Sequence, residues 1–175
     1  MPIYRDKIIP LADVITPNQF EAELLSGAKI SDISSALSAI DLLHGKGIRT
    51  VVISSTELNF GADSAGGDLV AIASSTMTGT KQQFKISIPR LDATFIGTGD
   101  LFAALFLAWF TKTGFDLKRT LENVVATLQA IIKRTYRYAE KLPGGLKNWA
   151  RIELKIVQGR SDILDPVVEI VAEKI

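Results

Sequence analysis

Gly97-Thr98-Gly99-Asp100 is the densest group of residues in this 175-residue sequence whose types and spacing suit chemistry. Placed where a strand turns into a helix, two glycines permit a tight turn and bring backbone N–H groups and the positive helix end to one spot. That arrangement stabilises a phosphate or a developing negative charge. A carboxylate at the helix start, Asp100, can accept a proton from an attacking hydroxyl. Phosphoryl transfer needs little else, because the protein positions the reactants and neutralises charge. The same four residues also satisfy a plain turn followed by a capped helix, so the pattern alone leaves both readings open.

Two further pairs carry weaker signals. Asn18 and Glu21 lie three apart near a helix start, where both side chains can point into one space and hold Mg²⁺ through water; ordinary capping explains the same spacing. Ser54 and Ser55 follow a β-branched run and reach the carboxyl edge of a sheet, where open α/β sheets bind ligands, although serine there is also common turn chemistry. Two rival glycine motifs are absent: Gly97-x-Gly99-x-x-Phe102 lacks the third glycine of a dinucleotide fingerprint, and no glycine-lysine-serine/threonine run makes a P-loop. His44 reads as a surface or half-buried residue, and Lys133, Arg134 and Arg137 as the wet face of a helix.

These residues need elements to position them. Leu11 to Ile15 reads as a short buried strand running into a helix with Thr16 as N-cap, Pro17 at its first position and Gln19 completing a capping box, ending near Gly27. Ser31 caps a second helix whose Ile33, Leu37, Ile40 and Leu43 share one face until Gly45 and Gly47. Thr50 to Ser55 is a fully buried strand, so the pattern predicts a βαβ arrangement and a parallel sheet covered on both faces. A glycine-rich stretch, Asn59 to Asp68, reads as a loop; Leu69 to Ala73 and Phe84 to Ile88 read as an antiparallel pair at the sheet edge. Ala93 to Ile96 is expected to be a strand entering the glycine turn, followed by an apolar helix to Lys112 and, from Leu117 to Glu140, a long amphipathic helix. Pro143-Gly144-Gly145 breaks that helix, and Ile152 to Val157 is expected to form a last strand.

Composition narrows the class. One compact core fits this length, so a single domain over residues 1–175 is expected. Twenty basic and nineteen acidic side chains leave a formal net charge of +1, which gives no global field for nucleic acid or an anionic membrane. With no cysteine, disulfides, thiolate metal sites and cysteine nucleophiles are excluded. The longest apolar run, Leu101 to Phe110, has ten residues, about half of what a bilayer-spanning helix needs. The N-terminal residues show no secretory signal pattern, and a cytoplasmic location is expected.

Taken together, the stretch from Ile15 to Gly27 and that from Phe95 to Ala104, with Val51-Val52-Ile53-Ser54-Ser55 between them, resemble pyridoxal kinase in the ribokinase superfamily. The resemblance implies a mostly parallel three-layer αβα sheet of ribokinase type, N-terminally truncated, because family members carry a further half upstream of Tyr4 to Lys7. It implies Asp100 as catalytic base for the 5′-hydroxymethyl group of pyridoxal, Gly97, Thr98 and Gly99 as the anion hole, and Gly99 with Asp100 at the substrate. Asn18, Ser54, Ser55, Leu91, Asp92, Ala93, Thr98 and Ile132 fall on ATP-contacting positions. Glu21 falls on a Mg²⁺ (or other divalent cation) position, and Thr16 with Ser54 on a monovalent-cation site for K⁺ or Na⁺. Pyridoxal, pyridoxine and pyridoxamine are the implied substrates, a homodimer the implied assembly, and neither nucleic acid nor membrane a partner. A non-catalytic nucleotide-binding or subunit-modulating fragment, and a hydroxymethylpyrimidine-type kinase, stand as alternatives. A missing half would leave a sheet edge and apolar helix faces exposed, in keeping with the mean hydropathy of +0.23.

Overall fold

The β-branched run at Thr50 does form a strand, and the chain around it is arranged as the helix signals dictate. The computed structural model describes residues 3–56, 67–143 and 153–175. The chain divides into two compact units, one holding the residues up to Arg90 together with Ala172–Ile175, the other Leu91–Val171.

The first unit is a sheet with two helices. Its strands are β1 (Val14–Ile15), β2 (Thr50–Thr56), β3 (Leu69–Ser75), β4 (Gln82–Ile88) and β5 (Glu173–Lys174), in the spatial order β1-β2-β3-β4-β5. β1 runs parallel to β2, and the remaining neighbours are antiparallel. The parallel pair requires a crossover, supplied by α1 (Gln19–Ser26) and α2 (Ile33–His44). Every residue of β2 is buried except Ser54 and Ser55, which are half-buried. Val51 and Ile53 of β2 and Val70 and Ile72 of β3 share one face by the two-residue period, and they pack with Ala22 and Leu25 of α1 and Ala36, Ala39, Ile40 and Leu43 of α2.

Both helix starts differ from the sequence expectation by one or two residues. Asn18, not Thr16, is the N-cap of α1: its side chain accepts from the Glu21 N–H at 2.9 Å, and Glu21 accepts from the Asn18 N–H at 3.0 Å. Asp32, not Ser31, caps α2, in the same reciprocal arrangement with Ser35. Asx residues outrank threonine and equal serine as caps, and here the better-placed carboxamide or carboxylate wins. Gly27 ends α1 at φ 78°, as expected. The first strand is shorter than the Leu11–Ile15 expectation, because Ile9–Leu11 form a turn of 3₁₀-helix around Pro10. His44 is half-buried and bridges α2 to the sheet: Nδ1 lies 2.7 Å from the Ile48 carbonyl and Nε2 2.9 Å from Ser74 Oγ. A carbonyl only accepts, so Nδ1 carries the proton and Nε2 receives the serine hydroxyl.

The second unit is helical. Here α3 (Thr98–Lys112) and α4 (Leu117–Glu140) pack together across the turn 113–116, where Gly114 (φ 67°) and Phe115 (φ 68°) reverse the chain. Phe102, Phe106 and Phe110, four apart on α3, are fully or nearly fully buried and stack in series, with Phe115 edge-on to Phe110. The short α5 (Arg160–Leu164) lies on α4: Arg134 pairs with Asp162 at 2.7 Å, and a Cβ on Gly159 would sit 2.9 Å from Ile131 Cγ1. Two expected strands are not strands among the described residues. Ile96 makes only a single parallel bridge to Glu153, and 154–159 pass through a turn into a 3₁₀-helix; Ile152, Gly144 and Gly145, and most of the glycine-rich loop, lie outside the described residues. β-branched content at Ile96 and Ile152 to Val157 was too short a signal to specify a ladder.

Candidate active site

The sequence-predicted residues fall into two groups, one in each unit. In the helical unit Gly97 is the N-cap of α3 at φ 86°, and the first intrahelical bond runs from the Leu101 N–H to the Gly97 carbonyl at 3.0 Å. The N–H groups of Thr98, Gly99 and Asp100 therefore have no helical acceptor and point out of the helix end. A Cβ at Gly99 would meet nothing within 4 Å, and Gly99 lies in ordinary helical backbone. Neither space nor backbone within the chain calls for glycine at 99. Asp100 is exposed in the first turn beside these donors. Donors, helix end and a free carboxylate thus converge as the glycine-aspartate pattern demands.

Leu91, Asp92 and Ala93 precede this turn, with the Ala93 N–H donating to the Leu91 carbonyl at 2.7 Å and Asp92 exposed. Ile132 is buried on α4. Four residues on, half-buried Tyr136 was not singled out by sequence. The charge of Glu140, then partial burial, a hydrogen bond to Glu140 and the charge of Asp92 push its phenol above the ordinary value. The spacing of Ile132, Tyr136 and Glu140 was visible in the sequence; the reach of the Asp92 charge to Tyr136 was not.

In the sheet unit, Thr16, Asn18, Glu21, Ser54 and Ser55 meet at the carboxyl ends of the parallel strands β1 and β2. The Ser54 N–H donates to the Pro17 carbonyl at 2.9 Å, and Ser54 Oγ reaches the same oxygen at 3.4 Å, so β2 clips the loop that follows β1. Between Ile53 and Thr56 the pairing with β3 advances three residues on β2 and two on β3. This extra residue is a bulge at Ser54–Ser55, a device that re-aims side chains at sheet rims and that no sequence signal announced. Thr16 and Glu21 line a cavity of about 580 Å³ beside β1, together with Ile9, Ile15 and Leu25. Asn18 and Glu21 are engaged with each other as a cap, which accounts for their spacing. One Glu21 oxygen, Oε2, takes the cap bond; a single exposed carboxylate matches Mg²⁺, which takes one or two carboxylates, keeps waters and is completed by phosphates. Among the described residues no group of three or more His, Cys, Asp or Glu is placed to hold a metal without such help.

The sheet unit and the glycine-aspartate turn opening α3, together with the likeness to solved pyridoxal kinases, place this chain in the ribokinase-like class of α/β folds. The chain belongs to the phosphomethylpyrimidine kinase family, whose profile matches residues 1–144. It is 42% identical over 180 residues to pyridoxal kinase of Sus scrofa, covering 98% of this chain and 55% of that protein, and 40% identical over 179 residues to pyridoxal kinase of Homo sapiens, covering 98% and 57%. It superposes on the solved structure of Leishmania donovani pyridoxal kinase in complex with ADP and pyridoxamine with a TM-score of 0.81 at 28% identity, covering 98% of this chain and 54% of that one. The chain spans about half the length of the curated relatives it matches.

Proposed function

We propose that this chain supplies the phosphate-binding and catalytic-base part of an ATP-dependent kinase that phosphorylates the 5′-hydroxymethyl group of pyridoxal, pyridoxine and pyridoxamine. The observation that carries the reading is Gly99: a glycine that the chain's own packing and backbone leave unexplained, inside a ring of free N–H donors, with Asp100 beside it. An anion approaching the main chain explains it. Asp100 accepts the proton of the attacking hydroxyl, and the N–H groups of Thr98 and Gly99 with the α3 end receive the charge that develops on the transferred phosphoryl. Asn18, Ser54, Ser55, Leu91, Asp92, Ala93 and Ile132 are assigned to ATP, Glu21 to Mg²⁺, and Thr16 with Ser54 to a monovalent cation, K⁺ or Na⁺. When bound, Mg²⁺ supplies neutralisation of phosphate charge.

The relatives named above support the vitamer class, and the family's description, phosphomethylpyrimidine kinase, supports a pyrimidine-type kinase as a second reading. One ribokinase-type domain, a homodimer and a cytoplasmic setting complete the proposal; no helix among the described residues is long and apolar enough to cross a membrane. The share of the relatives' length that is covered favours a further reading, a nucleotide-binding chain that modulates a longer subunit.

A coupled ATP assay with pyridoxal and Mg²⁺, run beside Asp100→Asn, tests the proposal. Turnover that falls by about 10² to 10⁴ in the variant supports Asp100 as base. Absence of turnover with ATP binding retained leaves the non-catalytic reading, and equal rates for the two proteins remove Asp100 from the mechanism.

A further inference from the structure

The C-terminal end of α4 gathers positive charge on its outer side. From Lys133 to Lys141 the sequence carries four cations, Lys133, Arg134, Arg137 and Lys141, against one carboxylate, Glu140. Lys133, Arg137 and Lys141 are four apart, so they make one stripe, with neighbours about 6 Å apart along the helix axis. Arg137 and Lys141 are exposed and Lys133 is half-buried. No ion pair among the described residues engages these three, whereas Arg134 beside them pairs with Asp162 at 2.7 Å. By the helical period Tyr138 borders the stripe on the Arg134 side and Glu140 on the other. Tyr138 is 48% exposed, and the Lys155 ammonium lies 4.6 Å from its ring centroid. The helix dipole accounts for cations in the last turn alone, and Lys133 lies about two turns before the end of α4.

A formal net charge of +1 gives no long-range field, but salt limits any charge to a reach of about 8 Å, and within that reach the stripe is cationic. Cations repeated along a line suit a chain of anions better than a single ion. An acidic polypeptide gains nothing from the tyrosine ring. A bilayer asks for an apolar face to insert, and that face of α4, with Leu128, Ile131, Ile132 and Ala139, is buried within the protein. A single-stranded nucleic acid uses both features, phosphates on the cations and a base on the ring. We infer that this end of α4 is a binding surface for single-stranded nucleic acid: Lys133, Arg137 and Lys141 neutralise phosphates along one strand, and Tyr138 stacks on a base. No group here reads a base edge, so binding is indifferent to sequence. The inference stands apart from the phosphate reading of the α3 N-terminus.

Fluorescence anisotropy of a short labelled oligouridylate, titrated with the chain over a range of salt concentrations, tests it. The logarithm of affinity is expected to fall against the logarithm of salt with a slope of about −2, from three phosphates at roughly 0.7 each. Lys133→Gln with Arg137→Gln is expected to reduce the slope to about −0.7, and Arg137→Gln alone, which serves if the double change unfolds the chain, to about −1.4. Tyr138→Ala is expected to weaken binding roughly tenfold at an unchanged slope, and Tyr138→Phe to bind as the wild type does, since stacking needs the ring and not the hydroxyl. Gly99→Ala lies outside the stripe and is also expected to bind as the wild type does. Thermal unfolding of each variant reports that it is folded. No binding at low salt, a slope that the glutamine changes leave unmoved, or loss of binding in Gly99→Ala overturns the inference. Polyglutamate or phosphatidylserine vesicles that bind as tightly as the oligonucleotide, with Tyr138→Ala without effect, make the stripe a general anion patch and overturn it too.

Discussion

A Cβ on Gly97 meets no atom within 4 Å, and yet the position calls for glycine, because its φ of 86° is a conformation that L side chains rarely adopt. Gly99 has equal room and no such φ. The two glycines therefore respond differently to alanine. Gly97→Ala is expected to cost about 1 to 2 kcal/mol of stability through backbone strain. Gly99→Ala is expected to gain about 0.4 to 1 kcal/mol, since alanine loses less entropy in a helix. The same methyl blocks an anion from the main chain, so nucleotide affinity should fall by about tenfold or more, as for a lost charge-assisted bond. Thermal denaturation and nucleotide titration of both variants check this; a Gly99→Ala protein with unchanged affinity rules out an anion hole there. The pair Gly97-x-Gly99 was legible in the sequence, but the division of labour between its members needed the backbone angles.

At the scale of the element, α1 separates capping from metal chemistry. Glutamine can replace glutamate in a capping box, so Glu21→Gln should keep the hydrogen bond to the Asn18 N–H and change stability by only a few tenths of a kcal/mol, roughly a surface-substitution effect. If Glu21 serves Mg²⁺, the same change raises the Mg²⁺ concentration needed for nucleotide binding, read from titrations at several Mg²⁺ levels; an unaltered requirement leaves Glu21 as a cap alone. Asn18→Ala, in contrast, should cost about 1 kcal/mol. The C-terminal end of α1 carries a pH dependence. Glu23 accepts from Lys29 Nζ at 2.7 Å and from the Ile30 N–H at 3.0 Å, and these bonds hold its carboxyl below the ordinary 4.5. A depressed carboxylate stabilises the fold above its unfolded value and loses that contribution as pH falls through the folded one. The unfolding midpoint should hold steady down to about pH 4.5 and drop beneath it, and Glu23→Gln should flatten that drop. Helix existence and ends were legible here, because capping residues and Gly27 act locally; which of two adjacent candidates capped the helix was decided by backbone geometry.

For the whole molecule the free side of β1 matters most. Among the described residues β1 pairs with β2 alone and ends the sheet, and Ile8, Leu11 and Tyr4 before it are exposed, Leu11 by 85%. An open edge beside exposed apolar side chains is a template for association. Sedimentation of the chain should show concentration-dependent self-association, and a double change, Ile8→Lys with Leu11→Lys, should reduce it without lowering the unfolding midpoint. A strictly monomeric wild type argues against an adhesive edge. The relatives are nearly twice as long as the stretch they share with this chain.

By itself the sequence determined the helices and the buried strand β2, since hydrophobic periodicity, capping residues and glycine stops are local properties. It also made the Gly97 to Asp100 turn legible as a glycine-flanked helix start with a carboxylate, while leaving open whether that turn is catalytic or a plain cap. Only tertiary structure decided the rest. Strand pairing is non-local, so the antiparallel pairing of β2 with β3, the bulge at Ser54–Ser55 and the lone bridge at Ile96 could not be read from composition. The charge of Asp92 acts on the Tyr136 phenol from a segment far off in sequence, a relation that no local pattern contains.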